Sequence, residues 1–175
     1  IEGLSNVESL KMKTPWGNPS DELTKALFKS KEVIFLPRHG RGHFISPTKI
    51  NFRANIDALK QLGVTDIVSI SAVGSLKEDL EPGMFVIVDQ FIDRTFARNK
   101  TFFDDDIVAH VSMAKPTSEG LMNACEESIK SENIQYKRGA TYLVMEGPQF
   151  STLAESNLYR TCLLYTSPSP RDRYG

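Results

Sequence analysis

Short apolar segments alternate with segments of helical periodicity along most of this chain, and this alternation constrains the fold more than any other feature. Apolar runs of strand length lie at 32–37, 64–72, 83–92 and 140–146, and helical patterns lie at 46–63, 117–132 and 152–160. Chains that alternate strand and helix form α/β folds whose strands are parallel at least in part. The sequence therefore predicts a mixed, largely parallel central sheet that is flanked by helices.

The predicted helices carry signals at their ends. Ser46 or Thr48 can cap the first helix, and Gly63 is placed to end it. Thr152 and Glu155 have the spacing of a capping box, which satisfies two backbone N–H groups at the start of a helix. These signals place helices directly after the first and the last of the predicted strands.

Composition and charge exclude several classes of protein. The chain has 175 residues, which is enough for one domain with a core. A net charge of −1 provides no general basic surface, so we expect no nucleic-acid partner. The apolar runs are too short to span a bilayer, so we expect no membrane partner. Cys125 and Cys162 lie far apart and form no metal-binding pattern, which is typical of free thiols in a cytoplasmic protein.

Two segments depart from the alternation. Residues 93–115 show no clear period, and we expect a long loop there with an embedded short strand. In 163–175 the core pattern gives way to Ser, Pro and Arg, and Pro168 and Pro170 disfavour regular structure. This tail resembles translated sequencing-adapter read-through. We therefore expect a partial domain over 1–162, followed by an artefactual and disordered tail.

A basic, glycine-containing cluster follows the first predicted strand, in the segment VIFLPRHGRGHF (33–44). A metal site would use His39 and His43, but their spacing suits a helix, glycines lie between them and no third ligand is evident. A nucleophile of the histidine phosphatase kind needs a second histidine late in the chain, and only His110 remains. Two further interpretations are an anion cradle, in which the guanidinium of Arg38 binds phosphate bidentately, and a solvated basic loop.

The end of the second predicted strand favours the anion cradle. The segment SISAVGSL leaves this strand through small residues, among them Ser71 and Ala72. A hydroxyl and exposed backbone N–H groups at such a turn can bind an anion, although a tight turn alone would also need small residues. Two such strand ends, one cationic and one rich in hydroxyls, predict a shared phosphate site. In this interpretation Arg41 and His43 support the loop.

Several long motifs resemble one family. The segments PRHGRGH, INFRANIDALKQLG, SAVGSLKEDLEPG, VIVDQFIDRT and VMEGPQFSTLAES, in this order, are similar to the trimeric purine nucleoside phosphorylase superfamily, in its S-methyl-5′-thioadenosine phosphorylase branch. The resemblance implies a nucleoside phosphorylase-like α/β fold and a cytoplasmic homotrimer. It also implies phosphorolysis, in which inorganic phosphate is the co-substrate and no cofactor is needed. The small-molecule partners are then a nucleoside and phosphate.

The resemblance also implies roles for individual residues. Arg38 and His39 match phosphate ligands, as do the hydroxyl of Ser71 and the backbone N–H of Ala72. On the nucleoside side, Phe150 matches a residue that stacks near the substrate. No residue of the chain matches the acid that protonates the leaving purine.

Two further residues bear on the choice of substrate. Ser151 lies where enzymes for 6-oxopurine nucleosides carry a base-binding glutamate, which favours methylthioadenosine. His110 resembles a residue that reaches the 5′-substituent pocket of a neighbouring subunit.

Substrate and activity leave alternatives open at this point. The full-length protein can prefer a 6-oxopurine nucleoside instead, because the residue that decides this lies outside the matching motifs. The chain can also be a non-catalytic subunit that binds phosphate or a nucleoside. Because the base-protonating acid is missing from the motifs, we expect little or no phosphorolysis from the 175 residues alone and an active enzyme as their parent.

Overall fold

The computed structural model describes residues 2–103, 106–161 and, for the backbone alone, 165–166. The strands are β1 (Leu4–Leu10), β2 (Leu23–Phe28), β3 (Lys31–Phe35), β4 (Phe85–Ile87), β5 (Gln90–Arg94), β6 (Tyr136–Arg138), β7 (Thr141–Met145) and β8 (Tyr165–Thr166). The helices are α1 (Phe52–Gln61), α2 (Glu119–Ser131) and α3 (Leu153–Thr161), and a short 3-10 helix spans Pro47–Lys49. Within the described residues, each helix is too short or too polar to cross a membrane.

The chain divides into two compact units. Unit 1 comprises Ile1–Ile67 and Ala97–Val108, and unit 2 comprises Val68–Phe96 and Ala109–Gly175.

Unit 1 is built on an antiparallel sheet in the order β1-β2-β3. The turn between β2 and β3 places Lys29 and Ser30 at φ 45° and 67°, the left-handed conformation that two-residue hairpins require. Helix α1 packs its small residues against this sheet, and Leu23 and Ala58 at the contact are fully buried. Around them lie partly buried apolar side chains, namely Leu10, Met12, Ile34, Leu36, Leu62 and Val64.

The start of α1 differs from the prediction. The side chain of Asn51, and not that of Ser46 or Thr48, caps the helix by accepting the Ala54 N–H at 3.1 Å. Of the predicted caps, Ser46 precedes the separate 3-10 helix and Thr48 lies within it. The chain is extended at Ile50 after this 3-10 helix, so α1 begins about one turn later than expected. The predicted end is confirmed, because Gly63 follows the last turn at φ 75°.

Unit 2 contains a parallel pairing that is interrupted once and then resumes. Strands β4 and β6 pair first, and β5 and β7 continue the pairing in the same register. Between the two stretches the Gly139 N–H donates to the Ile87 carbonyl at 3.1 Å, and the Asp89 N–H donates to the Ala140 carbonyl at 3.2 Å. Helix α3 covers β7, where Leu143 and Tyr159 form a buried cluster with Leu76 and Met145.

The predicted α/β class is confirmed, and among the described residues the strands form antiparallel pairs in β1-β2-β3 and parallel pairs in β4-β6 and β5-β7-β8. Strands β1, β2, β6 and β8 were not predicted. β1 is polar at most of its positions, and two of the three residues of β6 are basic.

The predicted strand at 64–72 is wrong. This segment joins no described sheet, and Ile70 within it is 78% exposed. An apolar, β-branched segment becomes a strand only when a neighbouring strand pairs with its backbone, and 64–72 belongs to no strand pairing assigned among the described residues. The short strand expected inside 93–115 is also not found in the described part of that interval, beyond the end of β5 at Arg94.

The tail is described only at Tyr165 and Thr166, which pair in parallel with Tyr142 and Leu143 of β7. The expected absence of regular structure therefore does not extend to these two residues. The remainder of 163–175 lies outside the described residues.

A carboxylate network ties α2 to β6 in unit 2. Glu126 accepts hydrogen bonds from the Tyr136 hydroxyl at 2.7 Å and from the Arg138 guanidinium. The Lys130 Nζ lies 2.9 Å from Glu126 Oε1. Arg138 also bonds Glu119. The Tyr136 hydroxyl, followed by the Lys130 and Arg138 side chains, lowers the pKa of Glu126 from 4.5 to about 2.

This network predicts a pH-dependent contribution to stability. A carboxylate whose pKa is lower in the folded state stabilises that state above its unfolded pKa and loses this effect as the pH falls through the folded pKa. We expect Glu126→Gln to lower Tm near neutral pH, and the difference from the original chain to vanish between pH 4.5 and about 2. Thermal melts followed by circular dichroism at several pH values test this, with Glu127→Gln on the same helix as the control. A Tm difference that is the same at all pH values would contradict it.

Candidate functional site

The basic cluster forms a tight loop, 37–45, directly after β3. Two backbone hydrogen bonds close its turns. The Gly40 N–H donates to the Pro37 carbonyl at 2.8 Å, and the His43 N–H donates to the Gly40 carbonyl at 3.0 Å. Gly40 and Gly42 adopt φ 72° and 84°, a left-handed backbone conformation that residues other than glycine rarely adopt. The glycines are therefore required by the turn, and the loop is not a helix.

His39 is oriented by the loop backbone. Its Nδ1 lies 2.8 Å from the Ile45 carbonyl oxygen, and the Ile45 N–H donates back to the His39 carbonyl at 3.0 Å. Because a carbonyl oxygen only accepts, Nδ1 carries the proton, and Nε2 is the ring atom left for a ligand. The His43 ring stacks on the His39 ring with centroids 4.3 Å apart. The two histidines thus stack, and no group of three metal-ligating side chains occurs in the described residues.

Arg41 is tied to Asp21, which precedes β2. The Arg41 N–H donates to Asp21 Oδ2 at 2.6 Å, and the Arg41 Nε lies 3.9 Å from the same oxygen. The Glu22 N–H donates to the other carboxylate oxygen at 2.7 Å. The hydrogen bond from the Arg41 backbone is the main cause that lowers the pKa of Asp21. That Arg41 and His43 support the loop stays a prediction, and the short contact at Arg41 is made by its backbone N–H.

The segment that carries Asp21 is itself fixed by α1. The Ser20 N–H donates to Asn55 Oδ1 at 2.8 Å, and Asn55 Nδ2 donates to the Ser20 hydroxyl at 2.9 Å. Asn55 is only 4% exposed. Neither Asp21 nor Asn55 was predicted from the sequence. The available signal was Asn55 itself, because a polar residue next to the apolar face of a helix needs a buried partner.

The other two predicted phosphate ligands belong to unit 2, whereas Arg38 and His39 belong to unit 1. Ser71 is half-buried and Ala72 is exposed. Just beyond them, the Ser75 hydroxyl accepts the Lys77 N–H at 3.0 Å and donates to the Lys77 carbonyl at 2.7 Å, which closes a small turn. That Ser71 and Ala72 complete a phosphate site stays a prediction.

The predicted nucleoside residues lie at the start of α3 in unit 2. The capping box is confirmed, since the Thr152 N–H donates to Glu155 Oε2 at 2.7 Å and the Glu155 N–H donates to the Thr152 hydroxyl at 3.2 Å. The box fixes the backbone next to Phe150 and Ser151. The Phe150 side chain is 46% exposed. The Ser151 hydroxyl lies 2.7 Å from that of Ser156, which is buried. The structure thus brings Phe150 and Ser151 together on a capped helix end.

His110 lies in an exposed, irregular stretch of unit 2. The described residues around it form no helix or strand between β5 and α2. Its assignment to a neighbouring subunit's pocket stays a prediction.

A buried glutamate for which the sequence predicted no role lies in unit 2. Glu146 follows β7 and is 6% exposed, and its Oε2 accepts the Phe96 N–H at 2.7 Å. This contact joins the ends of β5 and β7. Glu146 therefore has a structural function in holding the edge from which Phe150 and Ser151 extend.

Comparison with known proteins shows the family to which the chain belongs. The family model of the phosphorylase superfamily matches residues 2–162. The chain is 58% identical over 160 residues to an S-methyl-5′-thioadenosine phosphorylase of Rhodospirillum rubrum, covering 91% of this chain and 54% of that protein. It is 53% identical over 157 residues to one from Saccharolobus solfataricus, covering 90% and 58%. The chain thus spans between half and two thirds of the length of these relatives.

Solved structures show the same relationship. A methylthioadenosine phosphorylase from an Antarctic soil metagenomic library superposes with a TM-score of 0.93 at 45% identity, covering 96% of this chain and 60% of that one. A methylthioadenosine phosphorylase of Schistosoma mansoni in complex with adenine superposes with a TM-score of 0.90 at 31% identity, covering 98% and 70%. With a family match over nearly its whole length, the chain belongs to the phosphorylase superfamily.

Proposed function

We propose that this chain serves the phosphorolysis of S-methyl-5′-thioadenosine to adenine and 5-methylthioribose 1-phosphate. The observation that carries the proposal is the 58% identity, over 160 residues, to a relative of that name. In the reaction a phosphate oxygen forms a bond to ribosyl C1′, and the bond from C1′ to the purine nitrogen breaks. The departing adenine takes up a proton.

The residue types suit this chemistry. Phosphate is the nucleophile, so the protein needs no covalent nucleophile and must hold phosphate in line with the breaking bond while charge develops at the sugar. Arg38 supplies two parallel N–H donors. His39 offers Nε2, which in the neutral ring with the proton on Nδ1 accepts the O–H of hydrogen phosphate. We assign the Ser71 hydroxyl and the Ala72 N–H as the remaining phosphate donors. Inorganic phosphate is the co-substrate, and the reaction needs no cofactor.

Ser151 contributes to the choice of purine in this proposal, beside the deciding residue outside the matching motifs. Adenine carries a lone pair and no hydrogen on N1, whereas a 6-oxopurine carries an N–H there. A glutamate beside N1 pairs with the 6-oxopurine and leaves adenine without a donor, whereas a serine hydroxyl can donate. The contact of Ser151 with the Ser156 hydroxyl supports this role, since it fixes where the Ser151 oxygen lies. Phe150 provides an apolar ring beside the nucleoside.

The assembly follows from the same proposal. We propose a cytoplasmic homotrimer in which His110 of one subunit reaches the 5′-substituent pocket of the next. The exposed position of His110 in an irregular segment is compatible with such a contact.

A hybrid enzyme tests the proposal. In it, this chain's sequence replaces the matching 160 residues of the Rhodospirillum rubrum relative. We expect the hybrid to release adenine from methylthioadenosine in the presence of phosphate, at a rate within about tenfold of the relative, and to use inosine about 100-fold less well. The assay follows purine release under equal substrate concentrations, with the unaltered relative as the control.

The other outcomes identify the alternatives. Preference for inosine would assign the chain to 6-oxopurine nucleosides. A hybrid that folds, assembles and binds phosphate but releases no purine from either substrate would assign it to a non-catalytic binding role.

A further inference from the structure

Asp21 lies outside the basic cluster but touches its backbone. Its Oδ2 accepts the Arg41 N–H at 2.6 Å, three residues after Arg38 and two after His39. On either side of Arg41, Gly40 and Gly42 hold left-handed conformations. The hydrogen bond to the carboxylate therefore lies between the two glycines, which are the residues of the loop with the greatest backbone freedom.

We propose that Asp21 is a positioning residue for phosphate, because its carboxylate fixes the backbone of the 37–45 loop in the conformation that aims Arg38 and His39. This inference rests on the proposed function, which makes these two side chains phosphate ligands. Asp21 itself does not contact phosphate in this proposal. It acts through the Arg41 amide.

The support behind Asp21 is rigid. Ser20, the preceding residue, makes two hydrogen bonds with the buried Asn55 of α1, and α1 packs on the sheet of unit 1. The second carboxylate oxygen accepts the Glu22 N–H. Asp21 thus links the loop to a helix whose position is fixed by the core, which is the arrangement that holds a binding group within a fraction of an ångström. The Arg41 contact also favours the ionised carboxylate, as the lowered pKa of Asp21 shows.

Charge and positioning predict opposite effects when Asp21 is replaced. A carboxylate near an anion site repels phosphate, so its removal should tighten phosphate binding if only charge matters. Its removal also leaves the Arg41 guanidinium without this partner. If Asp21 instead positions the loop, its removal should weaken phosphate binding although the site becomes more positive.

The experiment compares four forms of the full 175-residue chain: the original, Asp21→Ala, Asp21→Asn and Asp66→Ala. Asp66 is exposed and also in unit 1, so its removal changes the net charge equally and is the matched control. Asparagine keeps one acceptor oxygen for the Arg41 N–H and serves as the conservative rescue. Calorimetric titration with inorganic phosphate at constant ionic strength gives the affinity, and amide hydrogen exchange of 37–45 without phosphate reports on the loop.

We expect Asp21→Ala to weaken phosphate binding about tenfold, which corresponds to the loss of one charge-assisted hydrogen bond. Asp21→Asn should stay within about threefold of the original chain, and Asp66→Ala should leave the affinity unchanged. The Arg41, His43 and Ile45 amides should exchange faster in Asp21→Ala alone.

Two results would overturn the inference. Tighter phosphate binding in Asp21→Ala would show that the carboxylate acts on phosphate only through its charge. Equal binding would show that it does not position the phosphate ligands. Unchanged amide exchange in that variant would show that it does not hold the loop. If the original chain binds no phosphate, the assignment of Arg38 and His39 in the proposed function fails, whereas the exchange data still decide whether Asp21 orders the loop.

Discussion

Replacing Arg38 by alanine is expected to lower phosphorolysis of methylthioadenosine by the hybrid enzyme at least 100-fold. A guanidinium that contacts two phosphate oxygens both binds the nucleophile and stabilises charge in the transition state, and loss of one such donor costs enzymes about 100- to 1000-fold in rate. Arg38→Lys should recover little of this, because an ammonium group has no planar fork. The measurements are kcat and the KM for phosphate from initial rates of adenine release.

Arg41 provides the matched control for Arg38 in the same loop. Its guanidinium faces Asp21, and the backbone N–H that Asp21 accepts remains when Arg41 is replaced by alanine. Arg41→Ala removes the same charge, and we expect a loss of no more than about threefold, in the range of an exposed ion pair. Equal losses in the two variants would show that the loop contributes only its net charge, and the assignment of Arg38 would be withdrawn.

The largest effect on stability is expected from Leu143→Ala in the middle of β7. The Leu143 side chain is 1% exposed and packs with Tyr159, Leu76 and Met145. Truncation of a fully buried leucine removes apolar contacts and leaves a cavity, so we expect the free energy of unfolding to fall by about 2–5 kcal/mol. Urea unfolding of the 175-residue chain, followed by circular dichroism and by intrinsic fluorescence, measures the change.

Leu158→Ala on α3 is the control for the loss of a leucine. Its side chain is 57% exposed, and we expect a change within about 0.5 kcal/mol, since surface substitutions rarely exceed this. If the two variants unfold at the same urea concentration, Leu143 does not belong to a packed core and the description of unit 2 is wrong.

Elements that depend on local signals could be predicted from the sequence. The capping box of Thr152 and Glu155 acts within one helical turn, and the structure contains both of its hydrogen bonds. Gly63 likewise ends α1 through its own backbone conformation. Three residues that can cap a helix lie close together before α1, and the sequence did not show which of them caps it. Asn51, and not Ser46 or Thr48, is the cap.

Elements that depend on a distant partner could not be predicted with the same success. The segment 64–72 has the composition of a strand, but whether it pairs depends on a neighbour elsewhere in the chain, and composition does not reveal that neighbour. The hairpin of β2 and β3 was missed for a different reason. Its turn uses Lys29 and Ser30 in place of the glycine or asparagine that usually marks a left-handed turn.

The same distinction applies to the candidate site. Arg38 and His39 follow a strand within a short, glycine-rich stretch, so their chemistry was visible in one segment. Asp21 lies 20 residues before Arg41, and Ser20 lies 35 residues before Asn55. Sequence spacing carries no information about such contacts, because they form only when the sheet of unit 1 and α1 pack together.

The two kinds of strand pairing have a consequence for the order of folding. Strands β1, β2 and β3 pair with their neighbours in the chain, so their contacts close short loops. Strands β4 and β5 instead pair with β6 and β7, which follow α2 in the sequence. Loop closure costs more entropy as the chain between partners lengthens, and structures rich in local contacts form faster. On a ribosome the antiparallel sheet can form before β7 has been synthesised. We therefore expect the loop that carries Arg38 and His39 to be anchored early, with the helix end that carries Ser151 following later.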